Sequence, residues 1–254
     1  MSLILALETA TPVCSVALAR DGEVLSLSES AIPNGHAGMI TLLIEKLFSE
    51  SSLHYTDLDA IAVSMGPGSY TGLRIGVATA KGLCYALDKP LIAIPTLEAM
   101  TAGMKHYPSP SPSPVASHSL AREGCDGQLP TANCRLLFCP MIDARRMEVF
   151  CAVFDSDLKE IRSTDAVIVD EHSFEELLDQ HPVLFAGNGS GKCKEKLSGN
   201  PNALFLDHFQ PSAKFLIELA EQKFRENRFE NLAYFEPFYL KDFIAGKPKV
   251  KGLK

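Results

Sequence analysis

Apolar residues come in short runs along this chain, and the spacing within each run sets the element it predicts. Residues 2–7 form a continuous apolar run of strand length, suited to a buried strand. A second run covers 14–19 and a third 23–28, with Arg20-Asp21-Gly22 between them. Asp-Gly between two apolar segments predicts a tight hairpin. Pro33-Asn34-Gly35 breaks the pattern. Beyond it Met39, Ile40, Leu43, Ile44, Leu47 and Phe48 fall at helical spacing and predict a helix over 36–50, its apolar stripe broadened by Leu42. A strand follows at 58–64 and runs into Gly66-Pro67-Gly68-Ser69, which must turn. A helix rich in small residues is expected over 72–87, a strand over 90–95, and a further helix opening at Thr96-Leu97-Glu98.

Composition breaks between 107 and about 133, where 109–114 alternates Ser and Pro. Proline removes a donor and fixes φ, so this stretch reads as an exposed, disordered insertion. Regular patterning resumes with strands at 135–142 and 147–154, a helix at 173–180, a strand at 183–186 and a tight loop at 187–191. A helix over 211–225 follows, with Ser212 as its N-terminal cap. Strands mixed with helices imply an α/β fold with mostly parallel sheets. The insertion separates two strand sets, which implies two lobes: 1–102 with about 207–254 in one, 103–206 in the other.

Charge narrows the function classes. The 254 residues carry a formal net charge of −7, whereas an autonomous nucleic-acid binder is usually basic. From Lys241 to the end the balance reverses: Lys241, Lys247, Lys249, Lys251 and Lys254 face one acid, Asp242. This tail is either a solvated end or a small electrostatic contribution to RNA held mainly by another subunit. The seven cysteines form no CxxC pair and read as reduced, mostly buried apolar residues. No run approaches the ~20 apolar residues of a membrane span, and the first residues lack a basic signal region, so a cytoplasmic protein is expected.

Candidate chemistry centres on three places. Ser64-Met65-Gly66-Pro67-Gly68-Ser69-Tyr70-Thr71-Gly72-Leu73-Arg74-Ile75-Gly76 takes a strand into a helix. Backbone amides at such a junction can hold an anion. The alternative is packing: Gly72, Gly76 and Ala80 share one helix face and admit a second helix closely. Glu8-Thr9-Ala10-Thr11 ends the first strand, where polar groups can face a cleft. Gly187-Asn188-Gly189-Ser190-Gly191-Lys192-Cys193 looks like a phosphate loop, but its spacing fails and Cys193 stands where a magnesium-binding Ser or Thr belongs. No HxxxH or HExxH and no Gly-x-Ser-x-Gly occur, which argues against a metallo- or serine hydrolase. Asp143-Ala144-Arg145-Arg146 reads as a charged surface turn.

Taken in order, residues 3–9, the 66–76 segment, Ile94-Pro95-Thr96-Leu97-Glu98, Met141-Ile142-Asp143-Ala144-Arg145-Arg146-Met147-Glu148-Val149 and Pro237-Phe238-Tyr239-Leu240-Lys241 resemble the TsaB (YeaZ) family over nearly the whole chain. The resemblance implies the actin-like fold of sugar kinases and Hsp70. It implies a non-catalytic subunit that supports the paralogue TsaD, together with the ATPase TsaE, in placing threonylcarbamoyl on the adenosine beside a tRNA anticodon. ATP and a metal ion would then belong to the partners, with no catalytic residue and no metal or cofactor in this chain. A helical partner surface is expected around Met39, Leu43, Leu47, Gly72, Arg74, Gly76 and Ala80, pairing with a second copy when the paralogue is absent. A vestigial nucleotide cleft is expected around Glu8, Thr9, Thr11, Gly187 and Gly189, and tRNA is expected to be met indirectly, through the complex. The competing expectation is an enzyme of the same fold, a glycopeptidase-like hydrolase or a small-molecule kinase. His36 sits where the paralogue's metal-binding helix begins, and Ile40 where its second histidine would be.

Overall fold

The structure, a computed structural model, describes residues 1–32, 36–107 and 135–241. The turn at Pro33-Asn34-Gly35, nearly all of the expected insertion and the tail beyond Lys241 lie outside these residues. Five strands build the first sheet: β1 (Leu3–Glu8), β2 (Cys14–Arg20), β3 (Glu23–Ser30), β4 (Ala60–Gly66) and β5 (Leu91–Pro95), in the order β3-β2-β1-β4-β5. β1, β2 and β3 pair antiparallel, while β1, β4 and β5 run parallel. The Asp21-Gly22 hairpin forms as its residues predict, with φ of 51° and 87° at the two turn positions.

The second sheet holds β6 (Leu137–Asp143), β7 (Glu148–Phe154), β8 (Glu160–Ile168), β9 (Val183–Ala186) and β10 (Ala203–Leu206), in the order β10-β9-β6-β7-β8. Its first three strands again form an antiparallel meander and its last two again run parallel to the first. Read from the β8 edge, it repeats the first sheet strand for strand. Two mixed sheets of this shared topology, flanked by helices, make the actin-like fold.

Apolar faces stack the molecule in layers. α1 (His36–Ser51) and α2 (Tyr70–Leu87) cover one face of the first sheet, burying Leu43, Leu47, Val77 and Ala80 against Leu5, Leu7, Val16 and Val63. The other face meets α3 (Thr96–Met104) and, late in the chain, a 3-10 turn (Ala213–Leu216) and α6 (Ile217–Arg225). α3 serves both sheets. Ala99 and Ala102 pack on the first, and Leu97, Met100 and Met104 join Phe138, Ile142 and Phe150 of the second. On the far side of the second sheet lie α4 (Glu175–Leu178) and α5 (Ser190–Leu197). Cys14, Cys84, Cys139, Cys151 and Cys193 are free thiols buried in these layers, as small apolar residues.

The structure corrects several boundaries. The helix expected at 173–180 is a single turn, α4. The loop expected at 187–191 ends early, because α5 begins at Ser190. Ser212 makes no side-chain cap. The turn after it is wound as 3-10, so the Phe215 N–H goes to the Ser212 carbonyl at 3.1 Å, the i→i+3 bond of that geometry. Strands β8 and β10 were not expected.

The seam at α3 generates a test. A Cβ added at Gly103 would stand 2.6 Å from the Phe215 ring. Alanine gains about 1 kcal/mol of helix propensity over glycine, but overpacking a dense core costs about 1–3 kcal/mol. Gly103→Ala is therefore expected to lower the urea midpoint, and an unchanged or raised midpoint would mean the seam is loosely packed.

Candidate functional site

β1 ends at Glu8 beneath the junction that links β4 to α2, and the two segments are in close contact. The Ser69 N–H donates to the Ala10 carbonyl at 2.7 Å. A Cβ on Gly68 would lie 2.5 Å from that same carbonyl oxygen, and one on Gly72 would lie 2.1 Å from the Thr9 carbonyl oxygen. A Cβ on Gly76 would lie 2.2 Å from Thr9 Oγ1. No side chain fits at these three positions, so the glycines let α2 lie directly on the end of β1. Gly66 is constrained differently: its φ is 116°, and a Cβ there would meet the Phe238 carbonyl oxygen at 2.4 Å. The helix then starts with its own cap, as Ser69 Oγ accepts from the Gly72 N–H at 3.2 Å.

The polar end of β1 is thereby sealed. Glu8 is 1 % exposed, and its carboxylate accepts the Ala10 N–H at 2.6 Å. Burial pushes its pKa up from about 4.5 to about 7, against the opposing pull of hydrogen bonds, that from Ala10 foremost. Thr9 and Thr11 are equally buried, and their hydroxyl oxygens have no hydrogen-bond partner.

Gly187 and Gly189 are held elsewhere. A Cβ on Gly187 would strike the Met141 carbonyl oxygen at 2.3 Å and the Met100 methyl at 2.6 Å, and one on Gly189 the backbone of Ile142 at 2.9 Å. These glycines let the turn before α5 lie against β6 and α3. The five residues expected to frame a nucleotide cleft are thus packed against the chain's own helices and strands.

The helix residues expected at a partner surface divide by face. Leu43, Leu47, Gly72, Gly76 and Ala80 are buried within the first lobe. Met39 is partly buried at the edge of that core, and Arg74 is exposed. The close approach expected at Gly72 and Gly76 exists, but its object is the end of β1 and not another helix. On the opposite side of α2, Thr71, Arg74, Ala78, Gly82 and Tyr85 are exposed. Tyr85 is 84 % exposed, and a Cβ on Gly82 would meet nothing within 4 Å. On α1, Gly38 is similarly open and Leu42 is 55 % exposed. The spacing of 71, 74, 78, 82 and 85 marks this face in the sequence, had the small residues there been read as surface.

The comparisons with known proteins decide the family. The TsaB protein of Escherichia coli K12, a "tRNA threonylcarbamoyladenosine biosynthesis protein", is 30 % identical over 250 residues, covering 96 % of both chains. The chain belongs to the TsaB family. A Bacillus subtilis TsaB is 28 % identical over 76 % of this chain and 74 % of its own length. The solved YeaZ of Pseudomonas aeruginosa superposes with a TM-score of 0.71 at 25 % identity, over 94 % of this chain and all of that one. Residues 30–124 also match the family model "TsaD: tRNA N6-adenosine threonylcarbamoyltransferase". His36 Nε2 lies 2.8 Å from the Thr11 carbonyl oxygen. Ile40, four residues on, is buried in the first core.

Glu8 sets a pH dependence with a definite sign. Its folded pKa lies above its unfolded one, so between pH 4.5 and about 7 the folded state holds a proton that the unfolded state releases. Its contribution is fully present below pH 4.5 and is lost as pH rises through about 7, roughly 3 kcal/mol in all. Glu8→Gln keeps an acceptor for the Ala10 N–H and removes the titration. Urea unfolding of this variant at pH 5 and pH 8 is expected to show a smaller fall in stability than the native chain shows. An identical fall in both would mean that Glu8 does not titrate in this range.

Proposed function

We propose that the chain is the non-catalytic partner subunit of a tRNA threonylcarbamoyl-transferring assembly. In this reading it docks on the paralogue TsaD through the outward faces of α1 and α2 and acts with the ATPase TsaE. A second copy covers the same face when the paralogue is absent. ATP and the metal ion belong to those partners, and the assembly works in the cytoplasm, where tRNA meets this chain only as part of the complex. Among the described residues no helix is long and apolar enough to cross a membrane.

One observation carries the reading. The exposed side of α2 presents Ala78 and Gly82 between Arg74 and Tyr85, and α1 leaves Gly38 and Leu42 exposed. Small residues at one-turn spacing let a second helix approach closely, and the large flanking side chains give it apolar area to bury. The names of the relatives support the reaction, and the sealed end of β1 supports a supporting role over a catalytic one.

The decisive assay is in vitro threonylcarbamoylation of tRNA with purified partners, with and without this chain. Loss of product on omission, with no product from the chain alone, is the expected result. Undiminished product without the chain would reject the assignment, and nucleotide turnover by the isolated chain would favour a kinase. Two glycine variants separate docking from folding. Gly82→Arg fills open space, so it is expected to fold normally and to fail to co-elute with the paralogue. Gly76→Leu drives into Thr9 and is expected to unfold the first lobe, by roughly 3 kcal/mol or more. Normal co-elution of Gly82→Arg would place the docking face elsewhere.

A further inference from the structure

The segment before the described C-terminus joins the two lobes along one side of the molecule. The Phe238 N–H donates to the Met65 carbonyl at 2.7 Å, and the Tyr239 ring lies 4.8 Å from the Tyr70 ring, centre to centre. The Arg74 guanidinium sits over the other end of this contact, 5.5 Å from the Tyr70 ring. Two residues past Tyr239, Lys241 forms an ion pair with Glu148 at the start of β7. Glu148 is the last residue of the β6–β7 turn, its N–H donating to the Arg145 carbonyl at 3.1 Å. Lys192, from α5, donates to the Glu148 carbonyl at 2.7 Å and pairs with Asp143. Residues far apart in sequence thus make one cationic ridge: Lys241, Lys192, Arg145 and Arg146. Asp143, Glu148 and Glu236 are the acids beside it. The ridge is net positive on a chain whose formal charge is −7.

Arg145 and Arg146 are the unusual part. Both are exposed, and neither forms an ion pair among the described residues. Both adopt left-handed backbone, with φ of 73° and 50°. Gly, Asn or Asp would take those conformations at lower cost, so the turn itself gives no reason for two arginines. A residue choice that works against local structure points to a job at the surface.

We propose that this ridge, centred on Arg145-Arg146, directly binds the phosphate backbone of the tRNA substrate. The inference rests on the proposed function for the presence of RNA, and goes beyond it in giving this chain its own RNA contact. Guanidinium groups pair with phosphate oxygens in a forked geometry, and release of counterions makes such binding fall with salt.

The test uses the reconstituted assembly with full-length chain and unmodified tRNA. Arg145→Asn/Arg146→Gly removes two charges with residues suited to positive φ, so the turn is kept. Arg145→Lys/Arg146→Lys retains the charge. The neutral variant is expected to bind tRNA roughly tenfold more weakly near 0.1 M salt and to lower the slope of log affinity against log salt by about 1–2. Its KM for tRNA should rise while kcat at saturating tRNA stays unchanged, it should co-elute with the paralogue, and the lysine variant should recover most of the affinity. An unchanged affinity and salt slope would overturn the proposal. So would loss of co-elution with tRNA affinity unaltered, which would make the ridge a protein contact. The omission assay distinguishes this from failure of the subunit reading: there, product forms equally well with no chain present.

Discussion

The contact between the end of β1 and the start of α2 governs the rest of the molecule. Three glycines, Gly68, Gly72 and Gly76, let a helix lie on the carbonyl groups of Thr9 and Ala10 with no side chain between them. A single methyl at any of the three meets backbone or a threonine hydroxyl, so the approach tolerates almost no relaxation. It closes the end of β1 and holds Glu8 out of water. It also fixes the rotation of α2 about its axis, and so decides which residues of that helix the outside can reach.

Much of the first lobe was legible in the sequence because four of its five strands are buried on both faces and read as apolar runs. β1, β2, β4 and β5 fall where those runs lie, and the Asp21-Gly22 hairpin follows from turn chemistry. The second lobe was harder for physical reasons. β8 is an edge strand containing Glu160, Arg162 and Asp165, and its place comes from pairing with β7 and not from its own apolar content. α5 carries three lysines and buries only Ser190, Cys193 and Leu197, too narrow a stripe to announce a helix next to three glycines. β10 has four residues and depends on β9 for its register.

The helix faces show a different limit. Small residues occur on both sides of α2, and the sequence does not say which row is pressed inward. Gly72 and Gly76 look like an interface because they are small and evenly spaced; Gly82 has the same chemistry and lies on the other side. Only the position of Thr9, contributed by a strand more than sixty residues earlier, separates them. The basic ridge was dispersed in the same way: Arg145, Lys192 and Lys241 belong to three separate elements or segments, and a turn of two arginines reads alone as an ordinary charged turn.

α3 adds a mechanical consequence. Its residues are buried almost throughout, with alanines set into one sheet and Leu97, Met100 and Met104 into the other. Swinging the lobes apart would strip apolar surface from both flanks of one helix at once, so the two halves move as one body. A partner seated on α1 and α2 is then held at a constant distance and bearing from the Arg145-Arg146 turn. In the proposed assembly the chain has the build of a ruler between those two surfaces.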